Sequence, residues 1–290
     1  MDFSTRRQLI LKAAAKAQNV RARCKIRQGA STDPISIAEA CGCEVRFMAL
    51  SSLEGIYSPT PRPIIVLGSE RPAGRRSYTC AHELGHNEFG HGARLDDCVN
   101  KNIPDNDDHE EILADMFAAF LLMPKTSVQK ALKSRSIQPQ QIEPLQIFRM
   151  ASYLSVGYGS LINHMTWTLG ILNRQQCKSL LKTQPKEIKL MFGGSPLGEV
   201  IIVDEWWHDR PVDLEIDDIL VLPKDVTLEQ TQRLSLNGPV DGQNTYRALA
   251  RGYARASSNK GAWGVNIRIA SKHYQGLARF RFFEDPEENL

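Results

Sequence analysis

The sequence predicts an α+β fold in three parts: helices with a short sheet, a helical extension, and a β-rich C-terminal region. Apolar residues at helical spacing dominate the first two parts, whereas short apolar or alternating runs bounded by Gly, Pro, Asn and Asp dominate from residue 198 onward. A chain of 290 residues that is 42% hydrophobic can bury more than one core. We therefore predict domains at residues 1–133, 134–190 and 195–290.

The elements before residue 70 are predicted from capping, proline and alternation signals. They are a basic helix over 1–25, a short helix over 35–41, and strands over 44–48 and 63–67. Asp33 and Pro34 start the short helix, because Asp caps a helix N-terminus and Pro suits the first turn. Prolines flank the second strand, and since Pro cannot donate to a sheet ladder, we expect that strand at a sheet edge.

The next predicted helix carries the motif His82-Glu83-Leu84-Gly85-His86. Residues four apart lie on one helix face, so both imidazoles can point at one metal ion with Glu83 beside them. Two imidazoles and a third protein ligand leave an open position, where zinc lowers the pKa of a bound water to about 7. Glu83 is placed to take the proton of that water and pass it to a leaving amine. The motif predicts a zinc hydrolase, and the alternative is a chance match on an amphipathic helix.

The third ligand is predicted on a second helix, between Asp107 and Pro124. The pattern in which the motif continues to a third histidine would need His at position 92, which is Gly92. Glu111 and Asp115 lie four apart: Glu111 can complete a His₂Glu shell, and Asp115 can receive the second ring N–H of a ligating histidine. The helix dipole explains acids in the first turn, but Asp115 lies mid-helix among apolar residues, and a buried acid needs a partner.

The segment between the two ligand helices, residues 92–107, contains Gly, Asn, Pro and several acids, and is predicted to be a loop. It could act as a lid over the metal, although a solvated connector is favoured. His91 and His109 flank the segment. Either could hydrogen-bond a tetrahedral intermediate, but a lone histidine near a site is more often structural, and we predict a role for neither.

The residues around these motifs resemble the ImmA/IrrE family of bacterial and phage metallopeptidases. The resemblance rests on Tyr78-Thr79 before the first motif and on Ala114, Asp115, Phe117-Ala118-Ala119 and Leu121-Leu122-Met123-Pro124 after Glu111. It implies a zincin-like (gluzincin-like) domain in which His82, His86 and Glu111 bind the metal and Glu83 is the catalytic base.

The resemblance also implies the substrate, which would be a helix-turn-helix repressor of a stress, phage or mobile-element regulon. The predicted strand over 63–67 could hold that substrate in extended form. Zinc is the expected ion, and a His₂Glu shell can also accept Mn²⁺ or another divalent ion. The alternative is a regulatory protein that binds a repressor or DNA without cutting, its metal site structural or silent. Structural zinc sites are usually closed by four protein ligands and gain nothing from Glu83, which argues against this alternative.

The predicted helical extension contains a helix from Ile147, a turn at 155–157 and a second helix over 158–169. This arrangement is typical of a helix-turn-helix. The second helix contains no Arg or Lys. We therefore favour a packing or substrate-docking role over DNA contact.

The predicted β-rich domain shows no chemistry in its sequence. Its strands are predicted over 199–204, 214–222, 264–269 and 277–283. This domain could bind a ligand or partner, for example as a sensor, through Trp206-Trp207 and Arg247, Arg251, Arg255, Arg268 and Arg279. Buried aromatics with a solvated basic face explain these residues equally well.

Composition narrows the class of protein further. A formal charge of +3 gives no general electrostatic argument for nucleic-acid binding. The six cysteines follow no secretory signal and show no paired zinc spacing, so free cytosolic thiols are expected. No segment approaches a membrane span, and we expect a cytoplasmic protein without membrane partners.

Overall fold

The computed structural model describes residues 2–50, 52–97, 108–195, 198–208, 210–229, 231–258 and 263–284. These residues form an α+β protein of two compact units. The first unit contains the described residues up to Val128 together with Gln275–Arg279, and the second contains Gln129–Tyr274 with the described residues from Phe280 onward. The helical extension and the β-rich region both lie in the second unit, and the division into three domains remains a prediction.

The helices are α1 (Phe3–Arg23), α2 (Pro34–Ala40), α3 (Ala73–Phe89), α4 (His109–Leu122), α5 (Lys125–Ser134), α6 (Pro144–Leu154), α7 (Tyr158–Asn163), α8 (Arg174–Leu180) and α9 (Pro185–Met191). The strands are β1 (Glu44–Met48), β2 (Leu53–Ser58), β3 (Ile64–Gly68), β4 (Arg94–Asp97), β5 (Val200–Ile202), β6 (Val212–Glu215), β7 (Ile219–Pro223), β8 (Val226–Glu229), β9 (Leu234–Val240), β10 (Gln243–Ala248), β11 (Gly252–Ser258), β12 (Gly264–Ala270) and β13 (Gly276–Leu277).

The first unit is built on a mixed sheet in the order β13-β1-β3-β2-β4. Strand β3 pairs in parallel with β1 and antiparallel with β2, so it is a central strand, and the prediction of an edge position was wrong. The reason is that Pro63 precedes the first ladder residue and contributes only its carbonyl, which accepts the N–H of Glu44 at 2.9 Å. Pro63 therefore removes no hydrogen bond from the ladder between β1 and β3.

Strand β4 pairs antiparallel with β2 and is the last strand on that side of the sheet among the described residues. It occupies residues 94–97 of the segment that was predicted to be a loop, so that part of the prediction was wrong. Residues 92–93 have no regular secondary structure, as predicted, and the rest of the predicted loop, 98–107, lies outside the described residues.

Helix α4 begins where its acidic sequence predicts. The Asp108 carboxylate accepts the backbone N–H groups of Glu110 and Glu111 at 2.9 and 3.3 Å, and capping of this kind satisfies two of the free donors of a first turn. The helix ends at Leu122, before Pro124. Glu111 is thereby fixed in the first turn of α4.

The second unit contains the predicted helix pair, α6 and α7. They are joined through Ser155, which adopts a left-handed conformation with φ 57°. A π-helical turn over His164–Thr168 follows α7. Tyr158, Leu161 and Ile162 of α7 are buried, so this helix packs into its own unit through that face.

The β-rich region of the second unit forms two four-stranded sheets, in the orders β5-β7-β10-β9 and β6-β12-β11-β8. The strand predicted over 214–222 is divided at Asp217, whose φ of 78° separates β6 from β7. The strand predicted over 277–283 was wrong, because the chain turns into a 3₁₀ helix at Ala278–Phe280. No helix in the described part of the chain combines the length and hydropathy that a membrane span requires.

Candidate metal centre

Helix α3 carries the first motif on its buried side. Every residue from Thr79 to His86 is buried, and the helix packs against β2 and β3. The two histidines lie one helical turn apart, and the Nε2 atoms of His82 and His86 are 3.0 Å apart. Helical spacing therefore brings both imidazoles to one point, as expected.

Glu111 of α4 completes this group of donors. Its carboxylate oxygens lie 3.3 Å from His82 Nε2 and 3.5 Å from His86 Nε2. One ligand atom from each of the three residues lies within 4.8 Å of the others. Ligand atoms held at zinc bond lengths of about 2.0–2.2 Å in a tetrahedral array are separated by about 3.3 Å. The spacing and the chemistry of these donors therefore fit a divalent ion such as zinc.

The position of Glu111 depends on close contact between α3 and α4. A Cβ atom on Gly85 would lie 2.9 Å from Ala114 Cα and 3.2 Å from Phe117 Cδ1. Only a residue without a side chain allows the two backbones to approach in this way. Because Gly85 lies between the two histidines and Ala114 lies almost one turn after Glu111, the contact sets the carboxylate opposite the imidazoles.

His82 is oriented by Asp115. The Asp115 Oδ1 atom lies 3.0 Å from His82 Nδ1, as predicted, and the Tyr78 hydroxyl donates to the Asp115 carbonyl oxygen at 3.0 Å. The expectation that Asp115 is buried was wrong, because its side chain is 52% exposed. The acid reaches the imidazole from the surface of α4.

His86 contacts two residues that the sequence did not single out for that purpose. Its Nδ1 atom lies 2.8 Å from the Nδ1 atom of His91, and its ring lies almost parallel to that of Tyr57, with centroids 6.4 Å apart. Burial, together with the His82 imidazole, lowers the pKa of His86 to about 3, and burial also lowers the pKa of His91. Both rings are therefore neutral near pH 7, the form in which an imidazole nitrogen can bind a metal or accept a hydrogen bond.

Glu83 lies with its carboxylate over strand β2. The residue is fully buried. A Cβ atom on Gly55 would lie 2.8 Å from Glu83 Oε1 and 2.5 Å from Thr79 Cγ2, so the absence of a side chain at Gly55 makes room for the carboxylate. No signal in the sequence points to Gly55, since a glycine in a short strand has many structural explanations.

The remaining candidate, His109, is exposed at the start of α4. The adjacent Glu110 forms an ion pair with Arg94 of β4. This ion pair links the edge strand to the helix that carries Glu111.

Comparison with known proteins agrees with this geometry. Residues 38–165 match the model of the Peptidase_M78 family, described as the IrrE N-terminal-like domain. A search of curated proteins found no match to the chain. The matched segment runs from α2 to the turn after α7 and includes His82, Glu83, His86, Glu111 and Asp115. As the resemblance to ImmA/IrrE peptidases predicted, residues 38–165 of this chain form a domain of the IrrE N-terminal-like peptidase family.

Proposed function

We propose that this protein is a zinc-dependent endopeptidase that hydrolyses a peptide bond in a protein substrate. The observation that carries the proposal is the convergence of His82 Nε2, His86 Nε2 and the Glu111 carboxylate on one point, with the buried Glu83 on the same helix as the two histidines. These three residues would hold the ion and leave one position open. A bound zinc supplies Lewis-acid chemistry, which acidifies a water and polarises a carbonyl oxygen. Mn²⁺ or another divalent ion could take the same place.

Glu83 serves as the general base and then as the general acid. Its carboxylate accepts a proton from the attacking water as the C–O bond forms, and donates that proton to the amide nitrogen as the C–N bond breaks. Proton transfer of this kind requires a carboxylate held in one place. Burial of Glu83 against Gly55 holds it there.

The substrate backbone would lie along β4. This strand ends the described sheet, and its Asp96 is paired in register with Gly55 of β2, the residue that faces Glu83. An extended peptide can add to a free sheet edge through main-chain hydrogen bonds, which gives affinity without a particular sequence. The edge assigned to substrate is thus β4 rather than the strand over 63–67.

The proposed substrate is a helix-turn-helix repressor of a stress, phage or mobile-element regulon, and cleavage would relieve repression in the cytoplasm. This part of the proposal is supported by the resemblance to ImmA/IrrE peptidases. DNA contact by α7 is not favoured, because its apolar residues face the core and it carries no Arg or Lys. The β-rich region is proposed to receive a signal or to bind a partner.

The test combines metal content with cleavage. Wild type, Glu83→Gln, Glu111→Ala and the control Glu110→Gln are purified, their zinc is measured by elemental analysis, and each is incubated with the helix-turn-helix repressor encoded nearest its gene. We expect wild type and Glu110→Gln to hold about one equivalent and to cleave. Glu83→Gln should hold zinc without cleaving, and Glu111→Ala should lose zinc.

Two results would contradict the proposal. Cleavage by Glu83→Gln at the wild-type rate would exclude the assigned base. Relief of repression by Glu83→Gln, without cleavage of the repressor, would replace the peptidase with a non-proteolytic repressor-binding protein whose metal site is structural or silent.

A further inference from the structure

Helix α3 ends in a turn that folds the following chain back onto the metal motif. Gly90 is left-handed with φ 71°, its N–H donates to the Asn87 carbonyl oxygen at 3.1 Å, and the His91 N–H donates to the His86 carbonyl oxygen at 3.0 Å. This pair of hydrogen bonds is the Schellman motif, which brings the side chain of the second residue after the helix end against the side chain five residues earlier. In this chain those two side chains are His91 and His86.

The contact that results is polar rather than apolar. His91 Nδ1 lies 2.8 Å from His86 Nδ1, with the ring centroids 5.0 Å apart and the planes inclined by 63°. The atoms in contact are on the side of His86 opposite its Nε2, which faces His82 and Glu111. His91 is therefore placed behind the candidate ligand, where it contacts the nitrogen that does not face the other donors.

Aromatic packing holds His91 in this position. The Phe89 ring stacks on His91 with centroids 5.7 Å apart and an inclination of 19°, and its edge meets Phe117 of α4 at 6.2 Å. The ammonium groups of Lys12 and Lys16 lie 5.5 and 5.6 Å from the Phe89 centroid. Since His91 is only 8% exposed, water does not compete freely for its Nδ1.

Only one arrangement of protons satisfies both this contact and metal binding by His86. A neutral His86 that uses the Nε2 lone pair must carry its proton on Nδ1, and that N–H needs an acceptor. The neutral His91 ring provides it when its own proton is on Nε2. Asp115 fulfils the same requirement for His82.

We propose that His91 is a positioning residue, which accepts the His86 Nδ1–H and fixes the tautomer and ring orientation in which His86 Nε2 binds the metal ion. The inference rests on the proposed metal site. It assigns a role to a residue for which the sequence alone predicted none.

The test separates an acceptor from a packing element. In His91→Asn the amide oxygen can take the place of Nδ1, whereas His91→Leu fills the pocket without an acceptor, and His109→Leu is a control at an exposed histidine. Zinc affinity is measured by competition with a chromogenic chelator, and the visible spectrum of the Co²⁺ form reports the ligand field. The melting temperature of each metal-free variant is measured alongside.

We expect His91→Leu to lower zinc affinity 10–100-fold and to alter the Co²⁺ spectrum, with His91→Asn and His109→Leu close to wild type. Equal affinity in His91→Leu and wild type would overturn the inference. If His91→Leu and His91→Asn weaken zinc binding equally, and in proportion to their loss of melting temperature, His91 acts through packing alone. That result would also overturn the inference. Zinc binding by wild type without any cleavage would contradict the peptidase proposal and leave the role of His91 supported, whereas failure of wild type to bind zinc would overturn both.

Discussion

The two candidate ligand histidines are oriented by chemically different partners. His82 contacts the carboxylate of Asp115, which is 52% exposed, and His86 contacts the buried imidazole of His91. A carboxylate raises the basicity of the imidazole to which it bonds, but one that is half exposed shares its lone pairs with water. The two ligands therefore differ in how strongly their surroundings hold them.

This difference leads to a prediction for Asp115. We expect Asp115→Ala to lower zinc affinity about tenfold, the lower end of the usual range for such partners, because water can replace an exposed acceptor. Asp115→Asn should cost less, since its amide oxygen still accepts the His82 N–H. The measurement is the same chelator competition, with Glu110→Gln as the control for loss of one nearby negative charge. A larger effect for Asn than for Ala would contradict the assigned hydrogen bond.

Gly55 provides a test of the position of Glu83. A methyl group in Gly55→Ala would meet Thr79 Cγ2 at 2.5 Å and Glu83 Oε1 at 2.8 Å, so the carboxylate must move. We expect peptidase activity to fall by at least tenfold with zinc content unchanged, because a general base acts only over hydrogen-bond distance. Gly92→Ala is the matched control, since no atom of the described residues lies within 4 Å of its added methyl group. Unchanged turnover in Gly55→Ala would place the base elsewhere.

The pair Cys41 and Cys43 follows α2 and lacks the spacing of a redox motif. Burial raises the pKa of Cys41 to about 11 and that of Cys43 to about 12. A raised thiol pKa leaves little thiolate at pH 8, and the thiolate is the reactive form. We expect iodoacetamide to modify both residues at least about tenfold more slowly in the folded than in the urea-unfolded protein, even after allowing for the higher nucleophilicity of high-pKa thiolates. Equal rates, measured by mass spectrometry, would contradict the burial.

At the scale of elements, the contact between α3 and α4 decides whether the donors meet. The motif supplies two donors from one helix, and the third depends on how closely the second helix approaches. In Gly85→Ala the added methyl group would lie 2.9 Å from Ala114 Cα, a backbone atom that cannot rotate away. The helices must then separate, and Glu111 moves with α4.

We predict that Gly85→Ala lowers the free energy of unfolding by about 1–3 kcal/mol, the usual cost of overpacking, and weakens zinc binding. Gly159→Ala in α7 is the control, because its methyl group would meet Leu181 Cδ2 at an ordinary 3.8 Å. Gly159 lies in the first turn of α7, where the preference for Ala over Gly is weaker than in a helix interior, so this control should be stabilising by at most about 0.5–1 kcal/mol. Urea unfolding measures both changes, and stabilisation by both substitutions would contradict the close approach of α3 and α4.

The elements that sequence predicted well are those whose signals are local. Helix α4 has a capping acid at Asp108 and a proline after its end, and both act within one turn. Strand β2 was not predicted, because Gly55 interrupts its apolar pattern. The glycine is needed there to leave room for the Glu83 carboxylate. The edge position assigned to residues 63–67 failed because the neighbours of a strand are set by pairing between distant segments.

In the candidate site, spacing along the helices was sufficient to predict which residues converge. It was not sufficient to predict what surrounds them. His82 and His86 are four residues apart on α3, and Glu111 and Asp115 are four apart on α4, so each helix places its own pair on one face. The contact between His86 and His91 depends on a left-handed Gly90, and the exposure of Asp115 depends on tertiary packing. Neither follows from periodicity.

A strand from the far end of the described chain completes the first unit. Strand β13 pairs antiparallel with β1, with Gly276 opposite Phe47 and Leu277 opposite Arg46. The side-chain oxygen of Gln275 also accepts the Ala49 N–H at 3.3 Å. The chain passes through the second unit before it returns, so the unit with the candidate metal site is assembled from segments more than two hundred residues apart.

Because β13 pairs with β1, we predict that a substitution at Gly276 lowers the stability of the first unit. Gly276 has φ 129°, which L side chains rarely adopt, so Gly276→Ala should cost about 1–3 kcal/mol of backbone strain at the β13–β1 pair. Hydrogen exchange followed by mass spectrometry should show faster exchange over Glu44–Met48. Gly242, between β9 and β10, also has a positive φ, 72°. The control Gly242→Ala should therefore be strained too, but should accelerate exchange only in the second unit. Unchanged exchange in β1 of Gly276→Ala would mean that β13 contributes nothing to the stability of the unit that holds the candidate metal ligands.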